Sequence, residues 1–155
     1  MAEERKTPYS VFNYLVELKD PNGGDSNSVN AGFSEVSGLN AEVTIAEYRR
    51  GNSQTNYVNK FLGLNKSGDV TLKRGVIGAS NIYDWLEEVR NGNVEKAKRD
   101  IEVKLRSEDR KKTVLTWKLR AAMPIKWTGP TLTAKGGSDV AMEELVLSVE
   151  SIEQS

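Results

Sequence analysis

The stretch that decides the fold is Gly68-Asp-Val-Thr-Leu-Lys-Arg-Gly75, in which apolar and polar residues alternate between two glycines. Such alternation is typical of a short β-strand with one packed face. Shortly afterwards, apolar side chains recur at the i, i+3, i+4 and i+7 spacing of a helix, at Ile82, Trp85, Leu86 and Val89. This spacing predicts an α-helix over about residues 79–91. A helix this short is unstable alone, so it must pack on a sheet.

Most of the remaining sequence also alternates with a period of two. The runs that do so are residues 11–18, 100–106, 112–121 and 143–150, and turn residues separate them. In the first run, Phe12 is predicted to face inward together with the other even-numbered residues. The second and third runs predict a hairpin joined near Asp109. Several short strands with regular turns predict a mainly β sandwich or barrel, formed by a single domain over residues 1–155.

Three tryptophans are the largest apolar side chains available for the core or an interface. Trp85 and its neighbour Leu86 are predicted to anchor the helix on the sheet. Trp117 lies on the apolar face of a predicted strand and is a third core anchor. Trp127 follows a proline in a predicted turn region, and we expect it at an interface between subunits.

Composition excludes several classes of function. The 155 residues include 22 basic and 22 acidic side chains, and neither cysteine nor histidine occurs. Thiolate chemistry, disulfides and histidine-dependent catalysis are therefore excluded. The charged N-terminus has no apolar core of a signal peptide, and no apolar run is long enough to span a membrane. We expect synthesis in the cytoplasm without a signal peptide and no membrane insertion of the subunit.

No motif for catalysis or ligand binding stands out. Glu87 and Glu88 are adjacent on the predicted helix and point about 100° apart, so they cannot act as a paired acid and base. The glycines at 129 and 136–137 match neither a phosphate-binding loop nor a dinucleotide fingerprint. The sequence predicts no catalytic, cofactor-binding or metal-binding residue, and we expect the protein not to be an enzyme.

Charge is distributed unevenly along the chain. Residues 96–126 carry eleven bases against four acids, whereas residues 139–155 carry five acids and no base. Two interpretations remain open. In one, adjacent antiparallel strands pair these charges within one subunit; in the other, opposite poles dock copies of the chain head to tail.

A polar segment over residues 51–60 is long for a hairpin turn. It either extends a hairpin that begins near residue 42 or forms a loop that a partner orders. We expect this segment and the residues before it to contact a neighbouring subunit. The predicted interface residues here are Tyr48, Arg49, Arg50, Asn52 and Tyr57.

Several short segments are informative as an ordered set. They are FSEVSGL (33–39), EYRRG (47–51), GDVTLKRG (68–75), DWL (84–86), RDIEVKL (99–105), WKL (117–119), AMP (122–124), GP (129–130) and EELVL (143–147). Together they resemble the tail tube proteins of contractile phages and the inner-tube subunits of phage-derived injection systems. The chain departs at residues 61–64, where many relatives have a proline before the glycine, and at Met123, where an aromatic residue is common.

The resemblance implies a two-sheet β-barrel with one flanking helix. It implies six copies in a ring and rings stacked into a hollow tube inside a contractile sheath. The expected partners are further copies of the chain, the sheath protein, baseplate or hub proteins and tube-terminating proteins, with protein cargo or DNA in the lumen of the assembled particle. The alternative interpretation is a monomeric β-barrel that binds a sugar or small ligand, which would need exposed aromatics around a pocket.

Overall fold

The computed structural model describes residues 6–19, 29–76, 81–137 and 139–155. The strands and helices in chain order are β1 (Tyr14–Leu18), β2 (Val29–Ala31), β3 (Glu35–Ser37), β4 (Ala41–Tyr48), β5 (Asn59–Ser67), β6 (Val70–Gly75), α1 (Asn81–Arg90), α2 (Val94–Ala97), β7 (Arg99–Arg106), β8 (Thr113–Thr128), β9 (Met142–Ser148) and β10 (Ser151–Gln154). The mainly β architecture is confirmed, and the predicted hairpin around Asp109 joins β7 to β8.

One long strand connects the two halves of the main sheet. Strands follow the order β2-β1-β7-β8-β9-β6-β3, and β10 also pairs with β8. The first half of β8 pairs with β7 and β10, and its second half pairs with β9. Between the halves, Ala121 has a φ of 51° and its N–H donates to the Asp100 carboxylate at 3.1 Å. This bend lets the sheet fold over on itself, as the prediction of two sheets required.

The core lies between the two halves and beneath helix α1. Its buried apolar residues come from β1, β6, β7, β8, β9 and the helices. Trp85 is only 2% exposed, and its indole N–H donates to the Ala97 carbonyl oxygen at 2.5 Å. Trp117 is half-buried and packs against this core. Leu86 is half-buried and outside the core cluster, because it lies about 100° around the helix from Trp85.

The helical region differs from the predicted single helix. Helix α1 covers Asn81–Arg90, whereas residues 79–80 lie outside the described part of the chain. Gly92 follows the helix in the left-handed conformation, with a φ of 83°. A second helical turn, α2, was not predicted because four residues are too few to show a period. Across the described ranges, no helix has the length and apolar character needed to cross a membrane.

Two strand predictions need correction. Phe12 is exposed and precedes β1, so it does not share the inward face of Tyr14 and Val16. Strand β8 continues to Thr128, well past the predicted end at residue 121. Buried Pro124 suggested a break because proline cannot donate a ladder hydrogen bond. The strand accommodates it next to a register shift between Pro124 and Lys126.

The chain crosses itself tightly at the base of the β4–β5 hairpin. Gly38 has a φ of 87°, and a Cβ atom there would overlap the Asp69 carbonyl oxygen. On the other side of the crossing, the Gly68 N–H donates to the Asn40 side chain at 2.8 Å. These contacts fix the point from which the hairpin leaves the rest of the subunit.

We expect Gly38→Ala to lower the free energy of unfolding by about 2 kcal/mol or more, because a strained backbone and a steric overlap both oppose it. Urea denaturation measures the change. Gly92→Ala is the matched control, since Gly92 has a similar φ of 83° but no neighbour within 4 Å of the added methyl group. Equal losses in the two variants would show that the crossing at Gly38 tolerates a side chain.

Candidate assembly surface

The β4–β5 hairpin is the least covered part of the described structure. Its strands form a two-stranded sheet separate from the main one, and all residues of β4 are exposed. In β5, every residue except Ser67 is exposed. Eight residues at about 3.3 Å each give an arm of about 26 Å. A two-stranded hairpin is at best marginally stable in water, so this one needs a partner.

Apolar side chains occupy both faces of this hairpin. Ile45 lies opposite Leu62, and Ala46 lies opposite Phe61 on the other face. Leu62 and Leu64 are each 84% exposed, which is unusual for leucine in a strand. The hairpin therefore exposes apolar surface on both of its faces, as interaction sites often do.

The tip of the hairpin brings together most of the predicted interface residues. Arg49, Arg50, Asn52 and Tyr57 line one shallow hollow, and Tyr48 ends β4 just before it. The Arg49 guanidinium donates to the Thr55 carbonyl oxygen at 2.9 and 3.1 Å, so it organises the loop of its own subunit. Among the described residues, no ion pair or side-chain hydrogen bond involves Arg50. Arg50 is therefore an exposed cation at the tip with no described side-chain partner in its own subunit.

Sequence reasoning missed the apolar part of this surface. Val43, Ile45, Phe61, Leu62 and Leu64 are all exposed. The available signal was an apolar run at residues 61–64 that does not alternate. The run does not alternate because both faces of the hairpin are apolar: Leu62 lies opposite Ile45 on one face, and Phe61 lies opposite Ala46 on the other.

Trp127 lies away from the β4–β5 hairpin, and it is in a strand rather than in the predicted turn. It belongs to strand β8 and packs partly against the core. Its indole N–H donates to Glu143 at 3.2 Å, and its ring meets Tyr83 edge-on at 5.4 Å between centroids. These contacts hold Trp127 within its own subunit, so we do not carry it forward as an interface residue.

Glu143 also belongs to a buried ion pair. Its carboxylate pairs with Arg74, whose side chain is 3% exposed, on the neighbouring strand. Burial of both charges requires this partnership, because a charge without a partner in the interior is costly. The network of Arg74, Glu143 and Trp127 thus ties β6, β9 and β8 together.

Some acids of residues 139–155 form ion pairs with bases of residues 96–126 in the same subunit. Glu150 pairs with Lys98 at 3.4 Å, and Glu153 pairs with Arg120 at 3.2 Å. Together with Glu143, which pairs with Arg74, three of the five acids in residues 139–155 form ion pairs within the subunit. In the described structure, Asp139 and Glu144 form no ion pair, and both line a cleft beside β9. These two acids remain available for docking between copies.

The polar face of the sheet formed by β1, β7 and β8 carries interleaved charges of both signs. Lys104 contacts Glu17 at 2.9 Å and Glu102 at 3.4 Å, and Lys19 contacts Glu102 at 2.5 Å. Burial raises the pKa of Glu102, but the two lysines outweigh it and hold that pKa below its ordinary value. The hydrogen bond with Glu17 raises the pKa of Lys104. Ion pairs therefore hold acidic and basic side chains together on this face.

The described residues include no group of three or more acidic side chains placed to hold a metal ion. The geometry offers assembly surfaces instead. A family model described as T4-like virus tail tube protein gp19 matches residues 10–153, nearly the whole chain. The chain belongs to this tail tube family. The match confirms the resemblance, and the chain is a structural subunit of the tube of a contractile tail or injection system.

Solved structures of similar fold support this assignment. In the sheath–tube complex of the PVC extracellular contractile injection system, one chain is 26% identical with a TM-score of 0.80, over 97% of this chain and 93% of that one. A chain of the anti-feeding prophage baseplate is 23% identical with a TM-score of 0.81, over 97% of both chains. A chain of the anti-feeding prophage cap is 24% identical with a TM-score of 0.81, over 100% and 95%. No match was found among curated proteins.

Proposed function

We propose that six copies of this tail tube protein close into a ring and that rings stack into a hollow tube. The tube would conduct protein cargo or DNA through a target envelope. The observation that carries the proposal is the β4–β5 hairpin, whose two exposed apolar faces need neighbours on both sides. The related baseplate structure is described as six-fold symmetrised, which supports the copy number. The role is mechanical, without catalysis or a bound cofactor.

The proposed partners follow from the particles in which similar chains occur. Those particles are a sheath–tube complex, a baseplate and a tube-terminating cap. We propose that this subunit likewise contacts a sheath protein, a baseplate protein and a terminator. It would be made in the cytoplasm and then built into the particle. A single tail-tube domain over residues 1–155 would suffice, since the core draws on strands from both ends of the chain.

A wall of the lumen must stay hydrated and release its cargo. The polar face of β1, β7 and β8 meets this need, because its positive and negative side chains alternate and form ion pairs. Paired charges attract nucleic acid or acidic protein less strongly than unpaired ones do. We propose this face as a candidate lining of the tube.

The monomeric ligand-binding alternative has less support. It requires a pocket ringed by exposed aromatic side chains. The cleft beside β9 has a volume of about 730 Å³, and none of its lining residues is aromatic. Sugar-binding sites depend on aromatic stacking, so this cleft is poorly suited to that role.

We expect Arg50→Glu to block tube growth while leaving the subunit folded, because Arg50 is exposed and has no described partner in its own subunit. Electron microscopy of the purified protein would show short or absent tubes. Circular dichroism would show an unchanged melting temperature, since surface substitutions rarely change stability by more than about 0.5 kcal/mol.

Two controls separate the effects of charge and of loop structure. Lys111→Glu makes the same charge change on a different exposed turn and should leave tubes intact. Arg49→Gln removes the hydrogen bonds that organise the hairpin loop without reversing its charge. Tubes of normal length from Arg50→Glu would exclude the hairpin tip from the growing contact.

A further inference from the structure

A cleft of about 730 Å³ runs between the loop that follows β8 and the edge formed by β9, β6 and β3. Nothing within the described part of the subunit fills it. Apolar and acidic side chains line it together, and the six that matter here are Leu132, Val140, Met142, Glu35, Asp139 and Glu144. Leu132 is 82% exposed, so this loop leaves apolar area open to water just as the hairpin does.

The acids of the cleft have little neutralising charge nearby. Lys73 lines the cleft as its only base among the described residues. It pairs with Glu35 at 3.7 Å and lies opposite Glu144 in the β6–β9 ladder. Asp139 is exposed and without an ion pair in the described structure. The cleft is therefore negative, with apolar walls.

We infer that this cleft is the acceptor for the β4–β5 hairpin of a second copy of the chain. This inference rests on the proposed tube function and names the surface that the hairpin binds. The hairpin is complementary to the cleft, because it carries exposed apolar side chains at Leu62 and Leu64 and the exposed cation Arg50 near its tip. The match is one of both apolar surface and charge.

The arrangement also has the symmetry that a tube needs. The hairpin and the cleft are two different surfaces of the same chain, so their contact is head to tail rather than two-fold. A head-to-tail contact repeats from copy to copy and produces closed rings or open-ended stacks. The hairpin leaves the body immediately after β3, and Glu35 of β3 lines the cleft. A bound hairpin would therefore connect the edges of successive copies.

The test is a charge exchange between the two surfaces. Arg50→Glu alone should abolish tubes, and Asp139→Lys with Glu144→Lys should do the same. A chain that carries all three substitutions should recover at least half of the tube length seen with the unchanged protein by electron microscopy. Thermal melts of each variant establish that the subunit is folded. Lys111→Glu combined with the cleft substitutions is the control and should show no recovery.

The outcomes separate this inference from the function on which it rests. If Arg50→Glu abolishes tubes and the triple variant shows no recovery, the hairpin contact stands and the cleft is the wrong acceptor. If Arg50→Glu leaves tubes unchanged, the proposed contact of the hairpin tip also fails.

A second variant covers the case in which the cleft substitutions prevent folding. Leu132→Asp with Val140→Asp places charge on two exposed loop residues of the cleft. It should abolish tubes at an unchanged melting temperature. Normal tubes from this variant would overturn the inference.

Discussion

Trp85→Ala is expected to lower the free energy of unfolding by about 3–5 kcal/mol, the range for truncating a buried aromatic side chain. Trp85 fills the space between helix α1 and the sheet at 2% exposure. The substitution also removes the hydrogen bond to Ala97 and the ring beneath the Arg99 guanidinium, which lies 5.1 Å from the ring centroid. Domains commonly have about 5–15 kcal/mol of stability in total, so much of the protein should become insoluble.

Two variants show which part of Trp85 matters. Trp85→Phe keeps much of the volume but loses the indole N–H, and we expect a loss of about 1–2 kcal/mol from that bond. Leu86→Ala alters the next residue, which is half-buried, and should cost less than Trp85→Ala. Urea denaturation of soluble protein gives each value. A Trp85→Ala protein with the melting temperature of the unchanged chain would mean that the helix does not pack as described.

Arg74→Met should be destabilising to a similar degree, by about 3–5 kcal/mol, because it leaves the buried Glu143 carboxylate without its cation. Trp127 would still donate to Glu143, but a neutral donor cannot balance the charge. Since Arg74, Glu143 and Trp127 lie on three adjacent strands, the loss should affect cooperative unfolding of the whole sheet. Urea denaturation at neutral pH measures it.

The matching double variant distinguishes loss of a pair from loss of packing. Arg74→Met with Glu143→Leu replaces both charges by apolar groups, and we expect it to recover most of the stability. Lys98→Met breaks a solvent-exposed pair with Glu150 and should cost less than about 1 kcal/mol. If the double variant is as unstable as Arg74→Met alone, the network stabilises the sheet through shape rather than charge.

The candidate assembly surface was only partly predictable. The tip residues Tyr48, Arg49, Arg50, Asn52 and Tyr57 were named because a long polar segment cannot order itself by burial. The exposed apolar character of the two hairpin faces was missed, because an exposed apolar strand has the same sequence pattern as a buried one. Whether a leucine such as Leu62 is inside or outside depends on which other strands cover it, and this information is not local.

Trp127 and the acidic C-terminal region show the same limitation. A proline at 124 suggested that the chain turns, but the strand passes through it beside a register shift. The acids of residues 139–155 left two interpretations open. In the tertiary structure these acids fall into two groups. Glu143, Glu150 and Glu153 are paired within the subunit, whereas Asp139 and Glu144 line the cleft.

The sequence alone determined the class of fold, the single main helix, the β7–β8 hairpin and membership of a tube-forming family. These features follow from local periodicity and from the order of short segments, both of which can be read along one chain. Only the tertiary structure decided where β8 bends, which ion pairs are buried and which apolar strands are left uncovered. Those features depend on contacts between residues far apart in sequence, which form when the sheet folds over. A local sequence pattern does not predict such contacts.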